Sequence, residues 1–121
     1  MRSTEVNFPI DAVVIDSYAE DGFRLSGAIY RGAVCVFVDQ AATWEGLCDL
    51  SPFLSRAHDI DILLLGLGAE LIQPEAGFYE ERRKLEAAGV GVEVMTTPSA
   101  CRTYNVLLAE GRRVAAGLLP I

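Results

Sequence analysis

Several short stretches of the 121-residue chain carry residue types that could do chemistry. Cys101 lies about one turn inside a helix expected to begin at Thr97-Pro98, and the positive end of a helix dipole favours a thiolate. A nucleophilic cysteine also needs a base beside it, and the single histidine, His58, stands far off in sequence ahead of another strand. Cys101, Tyr104 and Leu108 recur at i, i+3 and i+7, the spacing of a buried stripe, which turns the sulfur toward a core that disfavours the thiolate. Packing is the first expectation for Cys101. The alternative is a reactive thiol with a pKa below the ordinary ~8.5.

Gly66 and Gly68 directly follow a buried strand, the place where open α/β sheets bind ligands and where glycines let a phosphate approach the backbone. A dinucleotide fingerprint would need a third glycine at position 71, which is Leu71, and the Gly-Lys-Ser/Thr of a phosphate loop is missing. A tight turn with close backbone packing is the simpler expectation. A small-ligand pocket bounded by Asp16, Gly66, Gly68, Thr97, Cys101 and Asn105 is the alternative.

Ser55, His58, Asp59 and Asp61 include the residue types of a hydrolase triad, but triads are assembled from distant parts of a fold and these crowd one segment. Asp59 and Asp61 flank Ile60 and are expected to be solvated rather than to form an acid–base couple. Asn105 sits in the middle of an otherwise apolar helix. If it faces inward it needs partners, and the glycine loop or Asp16 are candidates. Trp44, in an irregular stretch, is an edge-of-core anchor or else an aromatic offered to a partner. Cys35, Cys48 and Cys101 lack the spacing of a zinc or redox motif and are expected as buried free thiols, so neither a metal nor a cofactor is implied. No catalytic constellation emerges.

The elements that must position these residues follow from patterning. At 51% hydrophobic content the chain can bury a real core, and it is expected to form one domain over residues 1–121. A net charge of −7 weighs against binding to nucleic acid or anionic lipid. The start, "MRSTEVNFPID", lacks the apolar core of a signal peptide and no run approaches a membrane span, so a cytoplasmic protein is expected.

"AVVIDSYA" reads as a strand, and Ser26-Gly27 within "FRLSGAIYR" signals a hairpin. The unbroken apolar run at residues 33–38 predicts a strand covered on both faces. "DQAATWEGLCDL" follows as the longest irregular region, ending at Ser51-Pro52, an N-cap and first-turn proline for a short helix. "IDILLLG" is a second buried strand. "PEAGFYEERRKLEAAG" is a helix closed by Gly89, with a Glu80–Lys84 pair on its wet face and Phe78, Leu85 and Ala88 turned inward. "VGVEVM" alternates as a strand, Thr97-Pro98 repeats the cap-and-proline signal, and "RVAAGLLPI" ends the chain as a strand. The expected fold is α/β: a three-layer domain with a central mixed sheet flanked by helices, plus an N-terminal β-hairpin.

"IDSYAEDGFRLSGAIYRGAV", "LLLGLGAE" and "GVGVEVMTTPSACRTYNVLLAEGRRVAAGLLP" together resemble a small domain family. It includes the mitochondrial complex I assembly factor 3 and the adipogenesis-associated protein of animals, with bacterial and archaeal members. The resemblance runs from about Asp11 to Pro120, and its most specific piece holds Thr97, Ala100, Cys101, the Tyr104-Asn105 pair and Glu110-Gly111-Arg112. It implies a three-layer α/β fold and no catalytic activity. It also implies a protein-binding role in assembling a respiratory, complex I-like, or membrane complex, whose subunits would be the partners. Without a mitochondrial presequence the chain reads as a free-standing bacterial member. A homo-oligomer built on the apolar "GLLPI" ending is a further option.

Overall fold

The structure, a computed structural model, describes residues 7–121; residues 1–6, part of the leader expectation, lie outside them. Two sheets form. β1 (Ile15–Tyr18), β2 (Gly22–Leu25) and β3 (Ala28–Arg31) make an antiparallel sheet in that order. The expected hairpin is its second turn: Leu25 pairs with Ala28, and Ser26 and Gly27 both take positive φ, 45° and 85°. That two-residue conformation matches the right-handed twist of the strands it joins. Asp16 stabilises the turn, its Oδ2 accepting the Gly27 N–H at 2.7 Å.

The larger sheet is mixed, in the order β5-β4-β8-β6-β7, from β4 (Val34–Val36), β5 (Ala41–Thr43), β6 (Ile62–Gly66), β7 (Gly91–Met95) and β8 (Val114–Leu118). β6 lies parallel to both β7 and β8, whereas β4 runs antiparallel to β5 and β8. β5 falls inside the stretch expected to be irregular. Its Ala-Ala-Thr sequence has little strand propensity, and pairing with β4 specifies it, from Val34–Thr43 to Val36–Ala41.

Helices α1 (Ser51–Leu54), α2 (Ala76–Ala87) and α3 (Thr97–Ala109) occupy the expected places. The chain leaves β6 through α2 to β7, then returns through α3 to β8 on the other side of β6. Right-handed crossovers in opposite directions put the two helices on opposite faces. Side chains alternate accordingly. Leu63 and Leu65 of β6 pack with Phe53, Phe78 and Leu85 on the α1–α2 face. Leu64 packs with Tyr104, Leu108, Phe23 and Leu25 on the face covered by α3 and the small sheet. Burying each such leucine contributes ~1.5–3 kcal/mol relative to leaving it in water.

The cap signals need correction. Ser51 and Thr97 are the first residues of their helices rather than the caps, which are Leu50 and Thr96. The Asp49 carboxylate serves the α1 start, accepting the Ser51 N–H at 3.0 Å and the Ser51 hydroxyl at 2.6 Å. On α2, Lys84 pairs with Glu81 at 2.7 Å in place of Glu80, and Ala88 is exposed while Phe78 and Leu85 are buried.

Candidate functional site

The carboxyl ends of the parallel strands converge on Thr97. Its side chain is fully buried (0% exposed) at the first turn of α3. Its Oγ1 accepts the Gly68 N–H at 2.8 Å and donates to the Leu119 carbonyl at 2.6 Å. Its own N–H donates to the Gly68 carbonyl at 2.8 Å. One residue therefore ties the loop after β6, the start of α3 and the segment after β8.

Gly66 is glycine because of this approach: a Cβ there would lie 2.9 Å from both the Cα and the Oγ1 of Thr97. Gly68 takes φ of +97°, which other residues adopt only at a cost. The amide that would face a phosphate is already bound to a hydroxyl of the chain. The glycines are thus a close-packing device.

One turn along α3, Cys101 is 5% exposed in the core with Leu64, Leu118 and Tyr104. Burial pushes its thiol up to about 12, against a smaller opposing pull from Arg102. A helix-activated thiolate would have moved the other way. Cys35 is also buried and raised, whereas Cys48, expected to be buried with it, is exposed.

Tyr104 and Asn105 face the N-terminal segment. The Tyr104 hydroxyl donates to the Val13 carbonyl at 2.8 Å, with the Phe37 carbonyl at 3.3 Å, and burial raises its pKa. Asn105 faces inward, but its partner is neither the glycine loop nor the Asp16 side chain. Its amide pairs with the N–H and carbonyl of Ile15. The six residues expected to share a pocket thus divide: Gly66, Gly68 and Thr97 meet at the strand ends, Cys101 lies in the core, Asn105 grips Ile15, and Asp16 holds the hairpin turn.

Trp44 is 6% exposed, its indole N–H donating to the Asp49 carbonyl at 2.6 Å and its ring packed edge-on against Phe53. A Cβ on Gly117 would come 2.8 Å from that ring, so Trp44 fills the core and its ring is withdrawn from any partner. The hydrolase-like residues form no relay: His58 Nε2 lies 3.4 Å from the neighbouring Asp59 carboxylate, and the other groups are engaged elsewhere. Ser55 donates to the Pro52 carbonyl, Asp59 pairs with Arg56, and Asp61 holds Arg113 at 2.6 and 3.2 Å. Arg113 keeps the Asp61 carboxyl below the usual range. Every buried side-chain nitrogen and oxygen among the described residues has a hydrogen-bond partner.

Sequence reasoning missed the exposed pair Leu71-Ile72, 62% and 54% exposed, in the loop before α2. The available signal was two consecutive aliphatics between Glu70 and Gln73-Pro74, outside any periodic element.

A mixed five-stranded sheet with a helix on each face, and polar side chains spent on tying its own strands, defines a small α/β domain of the Mth938-like kind. A solution structure of a Bordetella pertussis protein described as an Mth938-like domain is 25% identical with a TM-score of 0.71, covering 98% of this chain and 92% of that one. A crystal structure described as an outer membrane protein from Bartonella henselae is 33% identical with a TM-score of 0.78, covering 94% and 98%. In this chain no helix among the described residues is long and apolar enough to cross a membrane.

The chain belongs to the family described as "Protein of unknown function (DUF498/DUF598)", which matches residues 15–119. An uncharacterized Rhodobacter capsulatus protein is 44% identical over 91% of this chain and 86% of its own length. The NADH dehydrogenase [ubiquinone] 1 alpha subcomplex assembly factor 3 of Danio rerio is 35% identical over 88% of this chain and 64% of its own length. The Bos taurus protein of the same name is 32% identical over 90% of this chain and 61% of its own length, so this chain spans under two thirds of these animal relatives.

Proposed function

We propose that the chain is a non-enzymatic, protein-binding assembly factor for a respiratory complex of the complex I type, acting in a bacterial cytoplasm on the subunits of that complex. The observation that carries this reading is the 35% identity to an assembly factor of NADH dehydrogenase over 88% of this chain. The site chemistry supports it: the strand-end threonine, the helix tyrosine and the asparagine are engaged with backbone, and the one cysteine on α3 is buried and protonated.

The test is capture. The tagged chain, expressed in its own host, is recovered from a detergent extract at low and moderate salt. Recovery of NADH dehydrogenase subunits that survive moderate salt is the expected result. Recovery of the chain without them at both salts would remove the reading.

A further inference from the structure

Leu47 and Cys48, which follow β5, face the loop and first turns of α2 across a groove of about 490 Å³. Its apolar lining comes from Leu47, Ile72 and Phe78, and Leu71, next to Ile72 in the chain, is also exposed. Its rim is acidic. The wall segments, residues 45–49 and 70–81, carry Glu45, Asp49, Glu70, Glu75, Glu80 and Glu81 without a lysine, arginine or histidine. Glu75 and Glu81 line the groove directly, and Lys84, from the next turn of α2, reaches Glu81 at 2.7 Å.

An apolar trough whose wall carboxylates outnumber the one neighbouring ammonium, Lys84 on Glu81, selects its occupant by charge. It repels nucleic acid and anionic lipid headgroups and draws a cationic surface toward it. An amphipathic helix lays its apolar face into such a groove and keeps its charged flanks on the rim. We propose that this groove docks an amphipathic, cationic segment of a partner polypeptide, with aliphatic side chains against Leu47 and Ile72 and lysine or arginine side chains against Glu75 and Glu81. The proposal rests on the protein-binding reading above and names its surface. Cys48, exposed in the groove wall, is a native reporter of occupancy.

The probe is a fluorescein-labelled amphipathic peptide of leucine and lysine, with a leucine–glutamate twin as control. Binding to the full chain is followed by anisotropy, and the alkylation rate of Cys48 is followed in parallel. The lysine peptide is expected to bind and to slow Cys48 alkylation several-fold, and the glutamate peptide to do neither. Ile72→Ser and Glu75→Lys, both exposed positions, are expected to weaken binding by roughly tenfold each while leaving the urea midpoint unchanged. Equal affinity for the two variants and the unaltered chain, unprotected Cys48, or no binding at all would overturn the proposal. Subunit capture separates it from the assembly reading. Capture that persists in Ile72→Ser and Glu75→Lys keeps that reading and removes the groove; Cys48 protection without any capture supports the groove and removes complex I as the source of the segment.

Discussion

The Asn105 side chain meets the Ile15 backbone as a neighbouring strand would: Oδ1 accepts the Ile15 N–H at 3.1 Å, and Nδ2 donates to the Ile15 carbonyl at 2.8 Å. Ninety positions separate the two residues, and the pairing fixes the first strand of the small sheet against α3. Asn105→Ala leaves both backbone groups without their partner and is expected to cost ~1–3 kcal/mol. Asn105→Asp is expected to cost more, because a carboxylate would face the Ile15 carbonyl with no donor. Urea melts of the two variants, with hydrogen exchange at the Ile15 amide, check the order. Two variants indistinguishable from the unaltered chain would contradict it.

Thr97 offers a test in which size and hydrogen bonding separate. Thr97→Val keeps the shape but strips the hydroxyl from Gly68 and Leu119, leaving a buried amide and a carbonyl unpaired at ~1–3 kcal/mol each. Thr97→Ser keeps the hydroxyl and loses one methyl, about 1 kcal/mol. Valine is therefore expected to be the worse substitution in thermal melts. The reverse order would mean that packing, and not the hydroxyl, holds the strand ends.

Gly66→Ala asks whether the glycine serves closeness or a ligand. Its new methyl would meet the Thr97 backbone, which cannot swing aside as a side-chain tip can, and a loss of ~1–3 kcal/mol is expected. Normal stability in this variant would show that α3 does not approach the strand as closely as described.

Cysteine chemistry gives a prediction with a definite sign. Below ~8.5 the Cys101 thiol is protonated in both the folded and the unfolded chain. Between that value and about 12 the unfolded chain gives up the proton while the folded chain keeps it, so stability falls as pH rises. Cys35 and Tyr104 are raised by burial and act with the same sign. Cys101→Ala is expected to flatten this alkaline slope without abolishing it, as read from urea midpoints across mildly alkaline pH. In the native chain Cys48 is expected to alkylate readily and Cys101 only on unfolding. Fast native modification of Cys101 would revive it as a nucleophile.

Much of the fold was legible because its signals are local. Ser26-Gly27 can take positive φ at both positions of a two-residue turn, and the short Leu63-Leu64-Leu65 run fits a strand buried on both faces. The alternation of strand and helix then dictated the layered sheet. The missing pieces are tertiary. β5 owes its existence to β4, not to Ala-Ala-Thr. Thr97 reads as a cap until its hydroxyl is seen bonded to Gly68 and Leu119, at sequence separations of 29 and 22 residues. Likewise, nothing near Asn105 in sequence points to Ile15. Trp44 shows the same limit, since an aromatic in a loop looks the same whether it covers a core or awaits a partner. The resemblance marked Thr97, Cys101 and Tyr104-Asn105, and in the structure these residues either tie segments together or fill the core between them.

Removal of the gene from its host tests the assembly role most directly, with assembled NADH dehydrogenase and its individual subunits quantified side by side on native and denaturing gels. The expected result is a fall in the assembled complex while its subunits are still synthesised, restored by the unaltered chain supplied in trans. An undiminished assembled complex in the deleted strain would contradict a function in its assembly.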